Sequence, residues 1–546
     1  MRRNFLPRTV FVRKTLLALI GWVVLLAHCA AVETVSSSSS TVPGMFSQFP
    51  QGELQCEWAL SPLDAVYITL DSHRAIKIAQ LQVIQQEGTV CEQSGPFDPQ
   101  LDGSVEHHIQ DNFRSSGGPT GLTGHRSIVN AGVTKTTRYG TRFSAQYSVD
   151  HIDNALQIAP FTSRAGSTQI TFQIDQPLLR GRRCGIDTAN ERASQWELEA
   201  ANAAHLQTVA ERLNRTVLAY WAAAAAQAQL RVERESEKRL QVLVENTQDL
   251  INLNYLASSD IEQPKAQLAR QRSRRIISEQ SFFSSVQAMT ISMGFIDAVF
   301  IQDESLIIFS EFPVIDSSAI EDPNAINTLV GEMLPCRHDI RELVLLERAA
   351  ETLAAGACND RKTQLDVFGS AGLVDDKFGL RVNHIGDAAK INNPQRDYRV
   401  GVTFSRPLFN RGRNGVAKRR EAEYEAAILA TEDLRVDAIG EIRELWTNQL
   451  ALAFEAEHLG TSATHWRSLM ENEYTKLKAG MSTLFTLIDF EEQLTATLRS
   501  YIDLQRQYAQ NIVALRLAVG ALVTADAGLD CYRICDVTTL PIGDSE

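Results

Sequence analysis

The sequence lacks long apolar runs, an excess of positive charge and the residue spacings of common catalytic sites. After the N-terminal region, no stretch of the 546-residue chain reaches about 18 consecutive apolar residues, so we expect no membrane-spanning helix. The formal net charge of −13 argues against a nucleic-acid partner, because phosphate binding relies on Lys and Arg. Phosphate-binding glycine loops, zinc-protease helices and nucleophile elbows are also missing. We therefore predict no catalytic residue and no cofactor.

Histidine and cysteine are present in arrangements that do not predict a metal site. His107 and His108 are adjacent, and neighbouring residues of a strand point to opposite faces of a sheet. The spacing of the eight cysteines fits no zinc site. A local disulfide between Cys531 and Cys535 is one alternative, and the pairing of the other cysteines stays open.

The N-terminus has the pattern of a secretory signal peptide. Basic residues precede an apolar run at residues 16–27, and small residues follow up to Ala31. A membrane anchor is the alternative, but the run is shorter than the roughly 20 residues that span a bilayer. Lipidation at Cys29 is a further alternative. We assign residues 1–31 to the signal peptide and residues 32–59 to a flexible segment.

The rest of the chain contains an internal duplication. Residues 172–183 read FQIDQPLLRGRR, and residues 402–413 read VTFSRPLFNRGR. Pro177 and Pro407 lie 230 residues apart, and later landmarks in each half share nearly the same offset. Counting back to equivalent leucines gives 76 positions from Leu101 to Pro177 but 42 from Leu365 to Pro407. The first repeat therefore carries 34 extra residues, which is about one hairpin, and residues 142–149 fit that insertion.

Each repeat combines alternating segments with long helical segments. Apolar residues alternate with polar ones in these segments, which predicts strands with one apolar face. The apolar positions near the strand exits are Ile170, Phe172, Ile174, Val400, Val402 and Phe404. Helical periodicity follows from about residue 186 to 253, and again in the second repeat, giving rods of about 100 Å. Breaks near Asn254 and Gly480 predict a second helix that returns in each repeat. Trp221 and Trp446 are expected to pack within these helices.

These motifs together resemble the TolC-like outer membrane efflux proteins. Residues 60–65 (LSPLDA) resemble the opening helix of the family, and residues 97–99 (FDP) the entry to its first strand. The Pro-Leu segments after Gln176 and Arg406 are similar to its strand-to-helix signature. Residues 337–341 (RHDIR) resemble the start of its second half, and residues 477–484 (LKAGMSTL) its helix-turn tip. The resemblance covers residues 60–523.

The resemblance implies a fold, partners and a function. It implies a mainly α-helical chain with two repeats, contributing about four strands to a trimeric 12-stranded membrane β-barrel that continues into an α-helical barrel. It implies a channel in the outer membrane, with a periplasmic extension, that passes substrates without chemical change. The partners would be two further copies, outer-membrane lipid, a periplasmic adaptor protein and an inner-membrane transporter of the RND or ABC type. An adaptor-like periplasmic scaffold is the alternative function.

The resemblance also implies site residues. Asp489 and Asp260 stand at positions where the family has an acidic gate, and the alternative is that they stabilise helix N-termini. Thr486 replaces another acidic residue of many relatives. Adaptor docking at the helix tips would involve Asn254, Ala479, Gly480, Met481, Ser482 and Leu484. The alternating apolar residues named above would face lipid. The arginine cluster at residues 270–275 is expected to be a solvated helix face, with adaptor contact as the alternative.

The predicted organisation has four segments after the N-terminal ones. Repeat one spans residues 60–292, a connector spans residues 293–335, and repeat two spans residues 336–523. The tail at residues 524–546 has no predicted structure beyond a possible local loop.

Overall fold

The computed structural model describes residues 58–113, 121–155, 163–182, 185–253, 257–295, 307–315, 325–333, 336–378, 384–478, 481–525, 532–534 and 538–541. All of them belong to one compact unit, Glu57–Glu546. The predicted signal peptide, including Cys29, and most of the predicted flexible segment lie outside the described residues, as do Cys531 and Cys535. The ordered part begins with a short strand, β1 (Trp58–Leu60), just inside the segment predicted to be flexible.

Repeat one begins with two short helices, α1 (Pro62–Ser72) and α2 (Arg74–Ser94). Ser61 caps α1 in a reciprocal arrangement: its hydroxyl accepts from the backbone N–H of Asp64, and its own N–H donates to the Asp64 carboxylate. Four strands follow, and their bounds are β2 (Gln100–Phe113), β3 (Gly121–Thr136), β4 (Arg142–Ala155) and β5 (Ser163–Pro177). A 67-residue helix α3 (Ile186–Asn252) and a returning helix α4 (Glu262–Ser292) complete the repeat.

Repeat two has the same order with fewer strands. Between the repeats lie β6 (Ile307–Phe309) and α5 (Ala325–Met333). The repeat itself contains α6 (His338–Asp360), β7 (Gln364–Phe378), a short α7 (Ile385–Ala388), β8 (Gln395–Ser405), a 68-residue α8 (Arg411–Lys478) and α9 (Leu484–Val519). The two long helices and their returning partners occur where the periodicity predicts them. At 1.5 Å per residue, each long helix measures about 100 Å.

The six long strands form one antiparallel sheet in the order β2-β3-β4-β5-β7-β8. The sheet of the single chain therefore has two strands more than the four that the resemblance implies for each chain. The physical reason is the insertion in repeat one, which forms the two full strands β3 and β4 and continues the same sheet. The extra hairpin predicted from the unequal spacing of the repeats is thus present, and residues 142–149 lie in it.

A left-handed residue marks the exit from the sheet into the long helix in both repeats. Gly181 has φ 81° and follows β5, while Asn410 has φ 43° and follows β8. Gly181 donates its N–H to the side chain of Asn359, and the Asn410 side chain donates to the carbonyl of Arg361. Both exits are therefore fixed to the C-terminal end of α6. Asp360, at that end, pairs with one arginine of each exit, Arg180 and Arg413.

The core of the helical part is centred on two aromatic side chains of α3. Trp221 is fully buried and stacks on Phe312, and Tyr220 contacts the ring of Phe309 edge-on. The Tyr220 hydroxyl donates to the carbonyl of Leu60 at 2.7 Å and accepts from the N–H of Ser310 at 2.8 Å. It therefore links the parallel β1–β6 pair to α3. Trp446 is buried in a second cluster on α8 and α9, so both tryptophans pack as predicted.

The C-terminal tail is part of this core. β9 (Val523–Ala525) pairs with β10 (Tyr532–Ile534). Arg516 of α9 is fully buried and donates to the carbonyl of Thr539 at 2.7 Å. The side chain of Leu540 packs against the second cluster. The tail is therefore more than the local loop that the sequence allows.

We expect the substitution Tyr220→Phe to lower the free energy of unfolding by about 1 kcal/mol, because it removes two part-buried hydrogen bonds, to the carbonyl of Leu60 and from the N–H of Ser310. Chemical denaturation followed by far-UV circular dichroism measures this loss. Tyr67→Phe is the matched control, because Tyr67 is 60% exposed. Equal stability of the two variants would contradict the assigned role of Tyr220.

Candidate functional site: a two-faced sheet and paired helix tips

One face of the six-stranded sheet is apolar across all six strands. Successive residues of a strand point to opposite faces, and the register places Leu101, Val133, Ala145, Phe172, Ala371 and Tyr398 in one row across the sheet. Large apolar side chains on this face are exposed in the single chain. They are Leu101, Val105, Ile109, Val133, Phe143, Phe172, Ile174, Leu373, Tyr398, Val400, Val402 and Phe404. Five of the six residues predicted to face lipid are among them, and Ile170 is half-buried on the same face.

The opposite face is mostly polar. Asn130 of β3 donates to the hydroxyl of Ser104 and accepts from the hydroxyl of Ser148, so a polar ladder crosses β2, β3 and β4. Arg126 and Asp150 form an ion pair on the same face. An aromatic exception is Phe368, which lies over Gly401, where a Cβ atom would meet the ring at 2.5 Å. The sheet thus separates an apolar surface from a polar one.

The exposed apolar band has a definite height. Along β8 it runs from Tyr398 to Phe404, and along β2 from Leu101 to Ile109. At about 3.3 Å per residue these segments measure about 20 Å and about 26 Å along the strands. Outer-membrane barrels carry an outward apolar band of about 25 Å. At the strand tilt of about 40° that such barrels have, the two segments rise by about 15 Å and about 20 Å, so they fit within that band.

The connection between β7 and β8 covers the end of this band that is distant from the helices. α7 packs on β4 and β5, and Ala388 is buried against Val149. The Tyr147 hydroxyl donates to the carbonyl of Ala389 at 3.0 Å, and the Asp375 carboxylate accepts from the N–H of Asn392 at 2.7 Å. The hydroxyl of Tyr147 and the carboxylate of Asp375, which lie on the apolar face far from the helices, therefore have hydrogen-bond partners within the chain.

The second candidate site is formed by the ends of the two helical hairpins. An apolar cluster joins α3, α4 and α9, and its buried members are Leu240, Leu243, Leu268, Leu484, Leu487 and Ile488. Beside it runs a largely apolar groove of about 310 Å³. The groove is lined in part by Leu240, Leu243, Met470, Tyr474 and Leu487. The hairpins of the two repeats therefore meet near their tips through α3 and α9.

Charged pairs reinforce the seam between the repeats. Arg239 of α3 binds Glu491 of α9 at 2.9 Å, and Glu233 of α3 pairs with Arg499 of α9. The Glu491 side chain is only 7% exposed, so this pair is largely removed from solvent. In the sequence these charged residues stand among the apolar residues of each helix. The sequence does not identify their partners, because each pair joins residues more than 250 positions apart.

The arginine cluster of α4 is also paired within the chain. Arg270 and Arg274 contact Glu492 of α9, whereas Arg272 and Arg275 contact Glu237 of α3. Arg270 and Arg272 are more than half exposed, as expected for a solvated face, whereas Arg274 and Arg275 are partly covered. The antiparallel packing of the helices brings carboxylates opposite all four arginines. A hydrogen bond from Arg274, together with the charge of Arg270, lowers the pKa of Glu492 below its usual range.

The predicted gate carboxylates lie in different parts of the tip. Asp489 is exposed in the second turn of α9, close in sequence to Glu491 and its partner Arg239. Asp260 is exposed in the turn that follows α3. Their role as a gate stays a prediction.

The predicted docking residues divide into three groups. Asn254, Ala479 and Gly480 lie outside the described residues. Met481 is 73% exposed, and Ser482 hydrogen-bonds to Glu473. Leu484 is buried in the apolar cluster, so in this chain it supports the tip and is not available as a contact surface.

Across the parts of the chain that the structure describes, no helix combines the length and hydropathy needed to cross a membrane. Within those same parts, His, Cys, Asp and Glu side chains form no group of three or more suited to holding a metal ion. His107 instead stacks on His125 of the neighbouring strand, with ring centroids 5.8 Å apart.

We expect Glu492→Gln to lower the melting temperature at pH 7 by about one or two degrees, since a partly exposed ion pair contributes little. The lowered pKa of Glu492 means that its contribution is present above the ordinary value, about 4.3, and is lost as the pH falls through the lower value of the folded protein. The difference from the unsubstituted protein should therefore narrow below about pH 4. Thermal unfolding at several pH values measures it.

The control for this series is Glu432→Gln, which changes an exposed carboxylate of α8. A pH-independent difference between Glu492→Gln and the unsubstituted protein would contradict the assigned ion pair.

Comparison with known proteins identifies the fold. The outer membrane efflux protein family matches residues 332–521. No curated protein sequence is significantly similar to the chain. The CmeC outer membrane channel of Campylobacter jejuni is 13% identical, with a TM-score of 0.57, and the match covers 84% of this chain and 85% of CmeC.

Two further solved structures have a similar fold. The outer membrane protein VceC of Vibrio cholerae is 16% identical, with a TM-score of 0.59 and coverage of 84% of this chain and 96% of VceC. The MtrE outer membrane channel of Neisseria gonorrhoeae, solved in its open state, is 13% identical, with a TM-score of 0.56 and coverage of 84% and 88%. The chain therefore has the fold of the TolC-like outer membrane efflux channels, and residues 332–521 carry the sequence pattern of the outer membrane efflux protein family.

Proposed function

We propose that this protein is the outer-membrane exit channel of a tripartite efflux or type I secretion system. It passes substrates from an inner-membrane pump to the exterior without changing them chemically. The single observation that carries the proposal is the two-faced sheet: an exposed apolar band that crosses all six strands and is backed by a polar face. The sheet continues into two helical hairpins long enough to extend through the periplasm.

The proposed assembly is a homotrimer. The helices of the single chain expose apolar stripes, with Ile78 and Leu81 of α2 more than half exposed and Leu429 and Val436 of α8 about two-thirds exposed. Residues seven positions apart lie on the same side of a helix, so Leu429 and Val436 form one stripe. Packing of these stripes against neighbouring copies would remove them from water. The same assembly would bring the polar faces of three sheets around a common lumen.

The proposed partners are a periplasmic adaptor and, through it, an inner-membrane transporter of the RND or ABC type. The apolar groove between α3 and the second hairpin suits an apolar helix edge, since its lining includes Leu240, Met470 and Tyr474. Met481 lies exposed beside the end of the second hairpin. These surfaces support docking of an adaptor at the tips, where Asp489 and Asp260 would narrow the entrance.

An adaptor-like periplasmic scaffold is the alternative. In that case the apolar face of the sheet would need another protein layer to cover it, because a large apolar patch in water favours association. The twelve exposed apolar side chains on this face weigh against the alternative. Membrane fractionation separates the two functions: a channel sediments with the outer membrane and needs detergent for release, whereas a scaffold is released by salt.

Phe404→Arg tests the orientation of the sheet. We expect it to destabilise the membrane-inserted protein by about 1 kcal/mol, because Phe404 lies at the helix-side end of the apolar band, where a charged group on the lipid face is costly but less so than at the midplane. The measurement is the amount of folded protein in the outer-membrane fraction. Thr403→Arg is the matched control, since the neighbouring side chain points to the polar face. Similar losses in both variants would contradict the assignment of the faces.

Asp489→Ala tests the entrance. We expect a higher single-channel conductance in planar lipid bilayers, because the substitution removes a ring of three carboxylates from the constriction. Asp433→Ala is the control, as it removes an exposed charge from α8 far from the tip. An unchanged conductance in Asp489→Ala would remove this residue from the gate. A protein that forms no pores at all would overturn the proposed function.

A further inference from the structure

We infer that the membrane barrel of this protein closes with eighteen strands. The inference rests on the proposed trimeric channel and departs from the twelve strands that the family resemblance implies. Its basis is the inserted hairpin β3–β4, which would either join the wall of the barrel or lie outside it as a flap. Four features of the hairpin decide between these possibilities.

The first feature is the continuity of the hydrogen-bonded ladder. β3 pairs with β2 from Gly121 to Thr134, and β4 pairs with β5 over thirteen residue pairs from Arg142 to Asn154. These ladders are as long as the β5–β7 ladder, which joins the two repeats. A flap would leave β2 free to pair directly with β5, and the inserted strands instead occupy that position.

The second feature is the phase of the alternation. Val129, Ala131 and Val133 of β3 lie on the apolar face, in register with the apolar residues of β2 and β4. Their neighbours Asn130, Gly132 and Thr134 lie on the polar face. A hairpin surrounded by water on both sides has no need of an apolar face in phase with a lipid-facing sheet. The inserted strands therefore turn their apolar side toward the same face as β2, β5, β7 and β8, which is the face that would contact lipid.

The third feature is the attachment of the β3–β4 turn to the base of the sheet. Arg138 donates to Glu191 of α3 at 2.8 Å, and the Glu191 side chain is only 4% exposed. The Thr188 hydroxyl donates to the carbonyl of Arg138, and the Thr141 hydroxyl donates to Gln176 at 2.6 Å. Gly140 has φ 85°, and a Cβ atom there would lie 2.3 Å from the carbonyl oxygen of Gly181. The inserted turn is thus fitted to the strand exit of repeat one.

The fourth feature is the pair of edges. β2 and β8 are the outer strands of the sheet that the structure describes, and each presents one side without a strand partner there. In lipid such an edge is costly, so a spanning sheet must close. Because six is an even number, β2 and β8 run antiparallel, and β2 of one copy can pair with β8 of the next in the same antiparallel pattern. Three copies then close a wall of eighteen strands.

The consequence is a wider lumen. At a strand spacing of about 4.8 Å and a tilt of about 40°, eighteen strands give a backbone radius of about 18 Å, compared with about 12 Å for twelve. The barrel would then be wider than that of a twelve-stranded channel, and the narrowest part of the proposed channel would lie at the hairpin tips.

Electron cryo-microscopy of the full-length protein in lipid nanodiscs tests the inference directly. We expect a trimer whose membrane wall shows eighteen strands, including three copies of β3 and β4. A trimer with a twelve-stranded wall and detached hairpins would overturn the inference and leave the proposed function intact. A protein that neither inserts nor forms trimers would overturn both.

A pair of variants tests the same point without a structure. We expect Val133→Arg to reduce the folded protein in the outer-membrane fraction about fivefold, because Val133 would face lipid at the edge of the apolar band. Thr134→Arg, on the polar face of the same strand, should stay within about twofold of the unsubstituted protein. If both variants insert normally, the hairpin lies outside the bilayer. If both are lost, the microscopy on the unsubstituted protein still decides.

Discussion

The hydrogen-bonding requirement of the strand backbone is the constraint on which the rest of the structure depends. Each strand of the sheet satisfies its N–H and C=O groups only through its neighbours, and the outer strands β2 and β8 each have one side still to be satisfied. In a bilayer no water can serve as the partner. The proposed channel follows from this requirement, since only closure with further copies removes the edges while keeping the apolar face toward lipid.

The contacts at the junction between the sheet and the helices fix how the long helices leave the sheet. Asp360 contacts an arginine from each strand exit, so the two repeats are held together at the base of the sheet. The positive φ values of Gly181 and Asn410 turn the chain from a tilted strand into a helix. The inserted hairpin is anchored at the same level through Arg138 and Glu191. An insertion of two strands is therefore accommodated without a change in the order of the helices.

The helical hairpins are held by a different balance of forces. Apolar clusters around Trp221 and Trp446 account for most of the burial in the middle of the long helices, whereas the seam toward the tips alternates leucines with ion pairs such as Arg239–Glu491. A buried ion pair contributes little net stability relative to apolar packing, but it penalises a shifted register because each charge would lose its partner. The pairs therefore favour one alignment of α9 with α3 and α4.

The periodicity of apolar residues along the sequence was sufficient to predict the long helices and the strands of this protein. The period of 3.6 residues predicted the long helices, the period of two predicted the apolar face with Phe172 and Phe404, and the unequal repeat spacing predicted an extra hairpin. These features depend on neighbours within a few positions of the chain. The partners of Arg270 and Glu492, the burial of Leu484, the role of Arg516 in holding the tail, and the union of all six strands in one sheet were decided only by the tertiary structure. The physical reason is that each of these contacts joins segments separated along the chain, and their meeting depends on how whole elements pack and not on any local period.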